Sequence, residues 1–359
     1  MIGRYDIKLN TENPLGFHLS DGTLYTYLYG GEYEDIAAGD WNLIPGTSTD
    51  YGNTPLSCAT AAQYGVEDFV GGASNGTIGV AAFRYTNPIT KCFQFQKAWF
   101  FFDKLQHVLV SSVTSSTLAP IRNVLDQKVH DGTTVYVNEQ SISSSANYSS
   151  FTFLWHQNIG YVFQNSPPDD TLKVAVQMRT GNWGAIAIST QPNATVDMFT
   201  ATIDKAPGAD DMRISYSIFP GVPYDDFQWR THAPSAMGGP PVVLQNDGNI
   251  SGVLDRKNRV AGVVFWATGG GSIDIPFMEP YGLILTLEID QPSVVIVNLK
   301  ESEMVVADPS QSLQNATVRL SWSIFEDERP TEWKPQHTIN IAFPQEDGIR
   351  GRSVTSSLF

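Results

Sequence analysis

Residues 93–102 (FQFQKAWFFF) and 107–114 (HVLVSSVT) decide the fold class. Aromatic and β-branched residues dominate both stretches, which is typical of β-strands. The aromatic run of the first stretch ends at Asp103, well short of the roughly 18 apolar residues that a membrane-spanning helix needs. The two stretches therefore predict strands, and they predict no insertion into a membrane.

Similar runs recur along the whole chain, and clusters of Gly, Pro, Asn and Asp separate them at short spacing, which is typical of an all-β sandwich. Residues 246–248 and 255–258 are predicted to be hairpin turns. The one helix that the pattern favours covers residues 120–127. The remaining predicted strands are 23–29, 77–85, 133–137, 151–155, 172–179, 196–203, 213–219, 242–244, 252–254, 260–266, 283–289, 293–299, 304–307, 316–325 and 338–343.

Composition and charge exclude several classes of protein. With 42% hydrophobic and 11% aromatic residues, the chain is too apolar for a disordered protein. Its net charge of −15 argues against binding to nucleic acid and, more weakly, against binding to polyanionic glycans and acidic membranes.

A glycine-rich stretch at 269–271, followed by Pro276 and Pro280, predicts a linker. We therefore expect two β domains, a large one over residues 1–275 and a small one over residues 276–359.

The sequence supports neither a serine nucleophile elbow nor a zinc-binding motif. Gly72, Ser74 and Gly76 match G-x-S-x-G, but a strand pattern follows them where a nucleophile elbow needs a helix. The six histidines show no zinc-ligand spacing, so packed or surface roles are expected for them.

An acidic loop offers one candidate metal site. Glu32, Glu34 and Asp40 lie in a glycine-containing segment and supply the oxygen ligands that Ca²⁺ prefers. The alternative is a solvated acidic loop.

Two of the eight tryptophans are candidates for stacking on a sugar ring. Trp41 and Trp183 lie beside turn residues, and Arg179 and Asn182 lie close to the second. Most of the tryptophans are expected to be in the core, and these two are the best candidates for exposure.

Secretion is favoured by five N-x-S/T sequons, although residues 1–5 do not resemble a signal peptide. Cys58 and Cys92 either form one disulfide bridge or remain free thiols. The sequon asparagines are Asn75, Asn147, Asn193, Asn249 and Asn315.

Several segments, in order, resemble polysaccharide lyase family 8, which contains hyaluronate, chondroitin AC and xanthan lyases. The clearest are 10–22 (N-x-E-N-x-x-G…D-G), 40–47 (D-W-x-x-I-P-G-T), 97–103 (K-x-W-F-x-F-D), 179–183 (R-T-G-x-W) and 306–310 (V-A-D-P-S). Members of this family carry an α/α toroid, a large antiparallel β super-sandwich and a small β-sandwich. The chain resembles the last two parts.

The resemblance also implies where the chemistry lies. The family cleaves uronate-containing glycans by β-elimination, and its catalytic tyrosine, histidine and asparagine belong to the toroid. Here Glu12 and Asn13 match supporting residues of the β side, and we expect them, with His18, to contact a glycan. The resemblance also strengthens the expectation of a cation at Glu32, Glu34 and Asp40.

The leading hypothesis from the sequence is a non-catalytic, lectin-like extracellular protein that binds glycans or glycoproteins. One alternative is the β portion of a lyase whose toroid lies outside this chain. Another is a structural or defence scaffold that self-associates into homo-oligomers through exposed sheet edges.

Overall fold

The structure is a computed structural model that describes residues 7–8, 13–60, 62–164, 169–205, 212–277, 282–326 and 329–359. Within these ranges antiparallel strands form almost all of the regular structure, which confirms the all-β prediction. The strands are β1 (Ile7–Lys8), β2 (Ser48–Asp50), β3 (Ala62–Gln63), β4 (Val70–Ser74), β5 (Gly79–Thr86), β6 (Phe93–Phe102), β7 (Leu105–Ser115), β8 (Ile121–Val129), β9 (Val135–Val137), β10 (Gln140–Ile142), β11 (Ala146–Tyr148), β12 (Phe153–His156), β13 (Ile159–Phe163), β14 (Thr171–Gly181), β15 (Ala194–Lys205), β16 (Met212–Pro220), β17 (Val242–Asn246), β18 (Ile250–Asp255), β19 (Val260–Phe265), β20 (Gly271–Pro276), β21 (Leu283–Ile289), β22 (Ser293–Asn298), β23 (Glu303–Ala307), β24 (Asn315–Glu326), β25 (Arg329–Ala342) and β26 (Val354–Ser357). The helical elements are α1 (Tyr224–His232) and 3-10 turns at Gly16–Ser20, Ile36–Ala38, Trp183–Ala185 and Ser235–Met237.

The strands form four sheets of four or more strands, and β1 pairs with β3 separately. The nine-stranded sheet has the order β10-β9-β12-β13-β16-β7-β6-β5-β4, and the five-stranded sheet has the order β11-β14-β15-β8-β2. The six-stranded sheet has the order β17-β18-β19-β22-β23-β26, and the four-stranded sheet has the order β20-β21-β24-β25.

The first compact unit comprises Met1–Asp68, Arg84–Phe95 and Ser112–Phe227. It contains the whole five-stranded sheet, in which β14 and β15 pair along their full length, from Thr171 opposite Asp204 to Gly181 opposite Ala194. The start of α1 packs on strands of the same unit, because the ring of Phe227 fills the space above Gly160. This close approach requires glycine: a Cβ atom on Gly160 would lie 2.1 Å from the Phe227 ring.

The second compact unit comprises Phe69–Phe83, Gln96–Ser111 and Gln228–Phe359. Its six-stranded and four-stranded sheets enclose one apolar core, as a small β-sandwich should. Fully buried side chains come from both sheets, for example Phe265 and Val295 from one and Leu287 and Leu320 from the other. The predicted turns on either side of β18 are confirmed, since β18 forms hairpins with β17 and β19.

Two local predictions are wrong. Residues 23–29 do not form a strand, because their backbone N–H groups find partners inside a loop: Leu24 N donates to Pro45 O at 2.9 Å, and Thr26 N donates to the Tyr33 hydroxyl at 3.1 Å. Residues 120–127 are not helical, because β8 lies between β15 and β2 and is buried on both faces. Such double burial hides the alternation that distinguishes a strand from a helix.

One helix, α1, was not predicted. It is short and polar, and Phe227 is its buried residue, so apolar periodicity gives it no signal. Asp225 and Asp226 in its first turn and Arg230 in its last turn complement the helix dipole instead.

The glycine-rich stretch interpreted as a linker continues into β20, which pairs with β21. The C-terminal sandwich described above begins at Val242, whereas the predicted domain boundary lies near residue 275. Whether residues 1–275 and 276–359 are separate domains therefore stays a prediction. No helix within the described ranges has the length and apolar character to cross a membrane.

Candidate functional site

The segment that resembles the lyase cleft begins at Asn13 in the structure, since Glu12 lies outside the described residues. Asn13 is half-buried, and its Oδ1 accepts a hydrogen bond from Leu15 N at 3.1 Å. His18 is only 2% exposed, and its Nδ1 lies 2.8 Å from Asp21 Oδ2, which also accepts from the Tyr85 hydroxyl at 3.1 Å. His18 therefore belongs to a buried polar cluster. The predicted glycan contacts of Glu12, Asn13 and His18 stay predictions.

The Glu32 carboxylate closes a tight loop on itself. Its Oε1 accepts from Leu28 N at 2.5 Å and Tyr29 N at 2.6 Å, and its Oε2 accepts from Gly30 N at 2.8 Å. Burial pushes the pKa of Glu32 upward, but the backbone donors outweigh burial, so that its pKa lies below the ordinary value. The carboxylate is thus a structural anion, held charged by three N–H groups.

Asp40 is engaged in the same way by protein donors. Its Oδ1 accepts from Asn42 N at 3.0 Å, and its Oδ2 accepts from the Tyr51 hydroxyl at 2.7 Å. Glu34 is exposed, and among the described residues Glu32, Glu34 and Asp40 do not form a group close enough to share one ion. The donor set therefore does not fit the expected Ca²⁺ site, and calcium binding here stays a prediction.

The two tryptophans that are candidates for exposure behave differently. Trp41 is only 7% exposed and packs with Ile44 and Ile186, so its predicted exposure is wrong. Its apolar neighbours take up the ring surface that a sugar would need. Trp183 is half-buried against the same cluster, and Asn182 is exposed and caps the following turn by accepting from Gly184 N at 2.8 Å.

A basic pocket of about 270 Å³ opens on the five-stranded sheet, and we define it by Asp40, Tyr51, Arg122, Lys173 and Arg179. Strand periodicity places part of this set, because residues two apart on β14 point to the same face, so Lys173 and Arg179 share that face. The Arg179 Nε atom also donates to Ala38 O at 2.9 Å, which ties the 3-10 turn before Asp40 to the end of β14.

Gly181 makes this contact sterically feasible. A Cβ atom at Gly181 would lie 1.9 Å from the carbonyl oxygen of Ala37, so only glycine lets the turn approach the strand. The approach brings Asp40 and Arg179, which are both sequence-predicted site residues, into one pocket.

The pocket has an excess of positive charge. Asp204 pairs with both Arg122, at 3.2 Å, and Lys173, at 2.9 Å, so one buried carboxylate is shared by two cations. The Arg122 guanidinium also lies 3.6 Å from the centre of the Tyr51 ring. Burial, together with the Asp40 carboxylate, raises the pKa of Tyr51, which therefore remains a neutral hydroxyl. Such a pocket suits an anionic group, because Arg and Lys donors bind carboxylates and sulfates through charge-assisted hydrogen bonds.

Sequence reasoning missed Tyr51, Arg122 and Lys173. Arg122 lies in β8, which was interpreted as a helix, so its face could not be assigned. Lys173 could have been found, because it lies an even number of residues from Arg179 within one predicted strand.

The cysteine and sequon predictions have clear structural positions. Cys58 and Cys92 are both free, so the bridge is not formed, and the Cys92 thiol donates to Thr90 O at 3.1 Å. All five sequon asparagines are exposed, as glycosylation requires, and their modification stays a prediction.

Two families match the chain. The family described as polysaccharide lyase family 8, super-sandwich domain, matches residues 2–231. The family described as polysaccharide lyase family 8, C-terminal beta-sandwich domain, matches residues 242–317.

Relatives and solved structures agree with these matches. A chondroitinase-AC of Pedobacter heparinus is 27% identical over 348 residues, which cover 94% of this chain and 45% of that protein. The polysaccharide lyase 8 family protein HylA of Enterococcus faecalis is 31% identical over 191 residues, which cover 52% of this chain and 14% of that protein.

Among solved structures, a chondroitinase AC lyase superposes with a TM-score of 0.79 at 25% identity, covering 97% of this chain and 48% of that chain. A Paenibacillus xanthan lyase superposes with a TM-score of 0.78 at 17% identity, covering 96% of this chain and 34% of that chain, and shares the fold. The chain thus spans less than half the length of the chondroitinase AC proteins that it matches.

Proposed function

Because this chain belongs to polysaccharide lyase family 8, we propose that it is the β portion of a lyase that cleaves an acidic, uronate-containing glycan by β-elimination. The observation that carries the proposal is the extent of the family match, which covers residues 2–231 and 242–317. Similarity to a chondroitinase-AC over 94% of the chain supports it.

The leading hypothesis from the sequence, a non-catalytic and lectin-like protein, is wrong. The matching families are lyase families, and the relatives are a chondroitinase and polysaccharide lyases rather than lectins. The hypothesis rested on catalytic residues that the resemblance assigns to the toroid, and their place in the family does not make the β domains a lectin. A chain that spans less than half of a lyase can still be part of one.

β-Elimination needs a base positioned at the proton next to the uronate carboxylate and donors that stabilise the charge that develops there. The family resemblance assigns those groups to a helical toroid. The role that we propose for this chain is to hold the polymer, so that the reacting uronate is presented to that machinery.

The basic pocket is the part of this chain that we propose for holding the polymer. The overall charge of −15 repels a polyanionic glycan, so attraction must be local. That attraction comes from Arg122, Lys173 and Arg179. Asp204 pairs with the first two, and Asp40 lines the same pocket. A carboxylate or sulfate of the glycan would take the exposed donors of Lys173, whose side chain is 43% exposed.

The test is the ultraviolet absorbance of the unsaturated uronate that β-elimination leaves. The natural gene product, as the cell makes it, is incubated separately with hyaluronan, chondroitin and xanthan. We expect absorbance to grow with at least one of them. Cleavage without an unsaturated end, or no cleavage of any of the three, would overturn the proposal.

An extracellular, glycosylated protein remains part of the proposal, supported by five exposed sequons. Asn147 is of particular interest because it lines the basic pocket. The intact mass of the natural protein would reveal any N-linked glycan, and a mass equal to that of the bare polypeptide would contradict this part.

A further inference from the structure

Two histidines face each other at the ends of two strands of the first compact unit. His130 directly follows β8, and His156 is the last residue of β12. The Nδ1 atom of His130 lies 3.0 Å from the Nε2 atom of His156, and the rings are stacked with centroids 5.1 Å apart. Two imidazole nitrogens thus lie close enough together to contact one ion.

A carboxylate completes the group. Asp131 offers an oxygen that lies within 4.8 Å of the nitrogens of both rings, and among the described residues this is the one group of three such ligands. Asp131 is exposed, His130 is half-buried and His156 is only 1% exposed. The group therefore has an open side towards solvent and a closed side towards the core.

We propose that His130, Asp131 and His156 bind a first-row transition-metal ion of the zinc type. Two imidazoles and one carboxylate are ligands that zinc takes, whereas calcium and magnesium prefer oxygen ligands alone. Three protein ligands leave one position of a tetrahedral ion for water or another small ligand.

The two imidazole nitrogens need little adjustment, whereas the Asp131 oxygen, within 4.8 Å of them, closes on the ion by a turn of an exposed side chain. Two nitrogens at about 2.0–2.1 Å from zinc in a tetrahedral arrangement lie roughly 3.3 Å apart. The observed separation of 3.0 Å therefore has to open by only a few tenths of an ångström. Without metal, the same separation allows one hydrogen bond between the rings.

Neighbouring residues hold the ligands in place. The His156 ring packs against Phe199, with centroids 4.0 Å apart, and Thr133 N donates to Asp131 Oδ1 at 2.8 Å. Lys128 acts electrostatically on His156, but its ammonium lies 3.1 Å from Asp126 Oδ2, so this nearby positive charge is paired. Preorganised ligands reduce the loss of conformational entropy on binding.

The test is a titration of the metal-free, full-length chain with Co²⁺, a spectroscopic substitute for Zn²⁺, followed by competition with Zn²⁺. We expect one equivalent of Co²⁺ to give visible d–d bands that Zn²⁺ abolishes. No thiolate-to-cobalt charge-transfer band should accompany them, because Cys58 and Cys92 are not ligands. Saturating Zn²⁺ should raise the thermal midpoint by several degrees, since it binds only the folded state.

Variants assign the signal to the proposed ligands. Asp131→Asn changes an exposed residue and His130→Gln a half-buried one, and each should weaken binding by at least roughly tenfold. His232→Gln, at an exposed histidine on α1, is the matched control and should bind as the parent does. Absence of the d–d bands would overturn the proposal and leave a simple hydrogen bond between the histidines. Equal affinity in all three variants would overturn it as well. Neither result depends on lyase activity.

Discussion

Substitution of Glu32 tests whether its carboxylate stabilises the loop at residues 28–32. Glu32→Gln keeps the shape of the side chain but replaces one oxygen with an NH₂ group, which turns a donor towards the backbone donors of the loop. Hydrogen bonds to a charged acceptor contribute about 1.5–3 kcal/mol each and neutral ones about 0.5–1.5 kcal/mol. At least one of the three bonds to Leu28, Tyr29 and Gly30 is lost, and the others become neutral.

One lost charged bond and two bonds that become neutral, at a loss of roughly 1 kcal/mol each, give an expected cost of about 3–6 kcal/mol, because at 6% exposure water cannot replace them. At about 2 °C or more per kcal/mol, the thermal midpoint of the protein should fall by about 6 °C or more. Circular dichroism measures the midpoint, and hydrogen exchange of residues 28–30 locates the change. Glu34→Gln, two residues away and exposed, is the matched control and should change stability by no more than about 0.5 kcal/mol.

The same substitution has a pH signature. The pKa of Glu32 lies below its ordinary value of 4.5 in the folded state, so the carboxylate contributes its full stability above about pH 4.5. That contribution is lost as pH falls through the lower, folded-state pKa. The midpoints of the parent and Glu32→Gln should therefore converge in acid. If Glu32→Gln melted like Glu34→Gln at neutral pH, the anchoring role of this carboxylate would be refuted.

Two further substitutions test packing and burial in the two compact units. Gly160→Ala should destabilise the protein by about 1–3 kcal/mol or more, because the new Cβ atom would lie 2.1 Å from the Phe227 ring. Gly269→Ala, which meets nothing within 4 Å, is its control, and equal thermal midpoints would contradict the packing. Burial lowers the pKa of Lys97 from 10.5 to about 7, so the unfolded chain binds more protons and stability should rise between pH 7 and 10.5. Urea unfolding at several pH values measures the free energy of unfolding, and its rise with pH should be weaker in Lys97→Met. The same slope of unfolding free energy against pH in both proteins would argue against a buried, neutral lysine.

Strand positions could be predicted where the local pattern and the tertiary environment agree. The run at Phe93–Phe102 is a strand with the predicted bounds, because its aromatic residues are intrinsically suited to a buried sheet. The prediction failed where long-range partners decide the backbone. Glu32 draws the N–H groups of residues 28–30 into a loop, although the sequence around them favours a strand.

Only some residues of the basic pocket could be predicted from the sequence. Asp40 and Arg179 carry family motifs, so both were identified from the sequence, and the structure brings them into one pocket. Arg122 lies in β8, and Tyr51 directly follows β2. Only the pairing of strands places these two residues beside β14. The proposed metal ligands could not be identified from the sequence, because His130 and His156 are 26 residues apart and meet only through the fold.

The most direct test of the proposed glycan-holding role is the Michaelis constant of the natural gene product on its acidic glycan, compared between Lys173→Gln and Lys300→Gln. Both substitutions remove one positive charge, but Lys173 lines the basic pocket and Lys300 is an exposed residue of the other compact unit. We predict that Lys173→Gln raises KM several-fold at low salt with kcat unchanged, and that the difference shrinks as salt screens the charge. Equal KM values for the two variants at low salt would contradict the account.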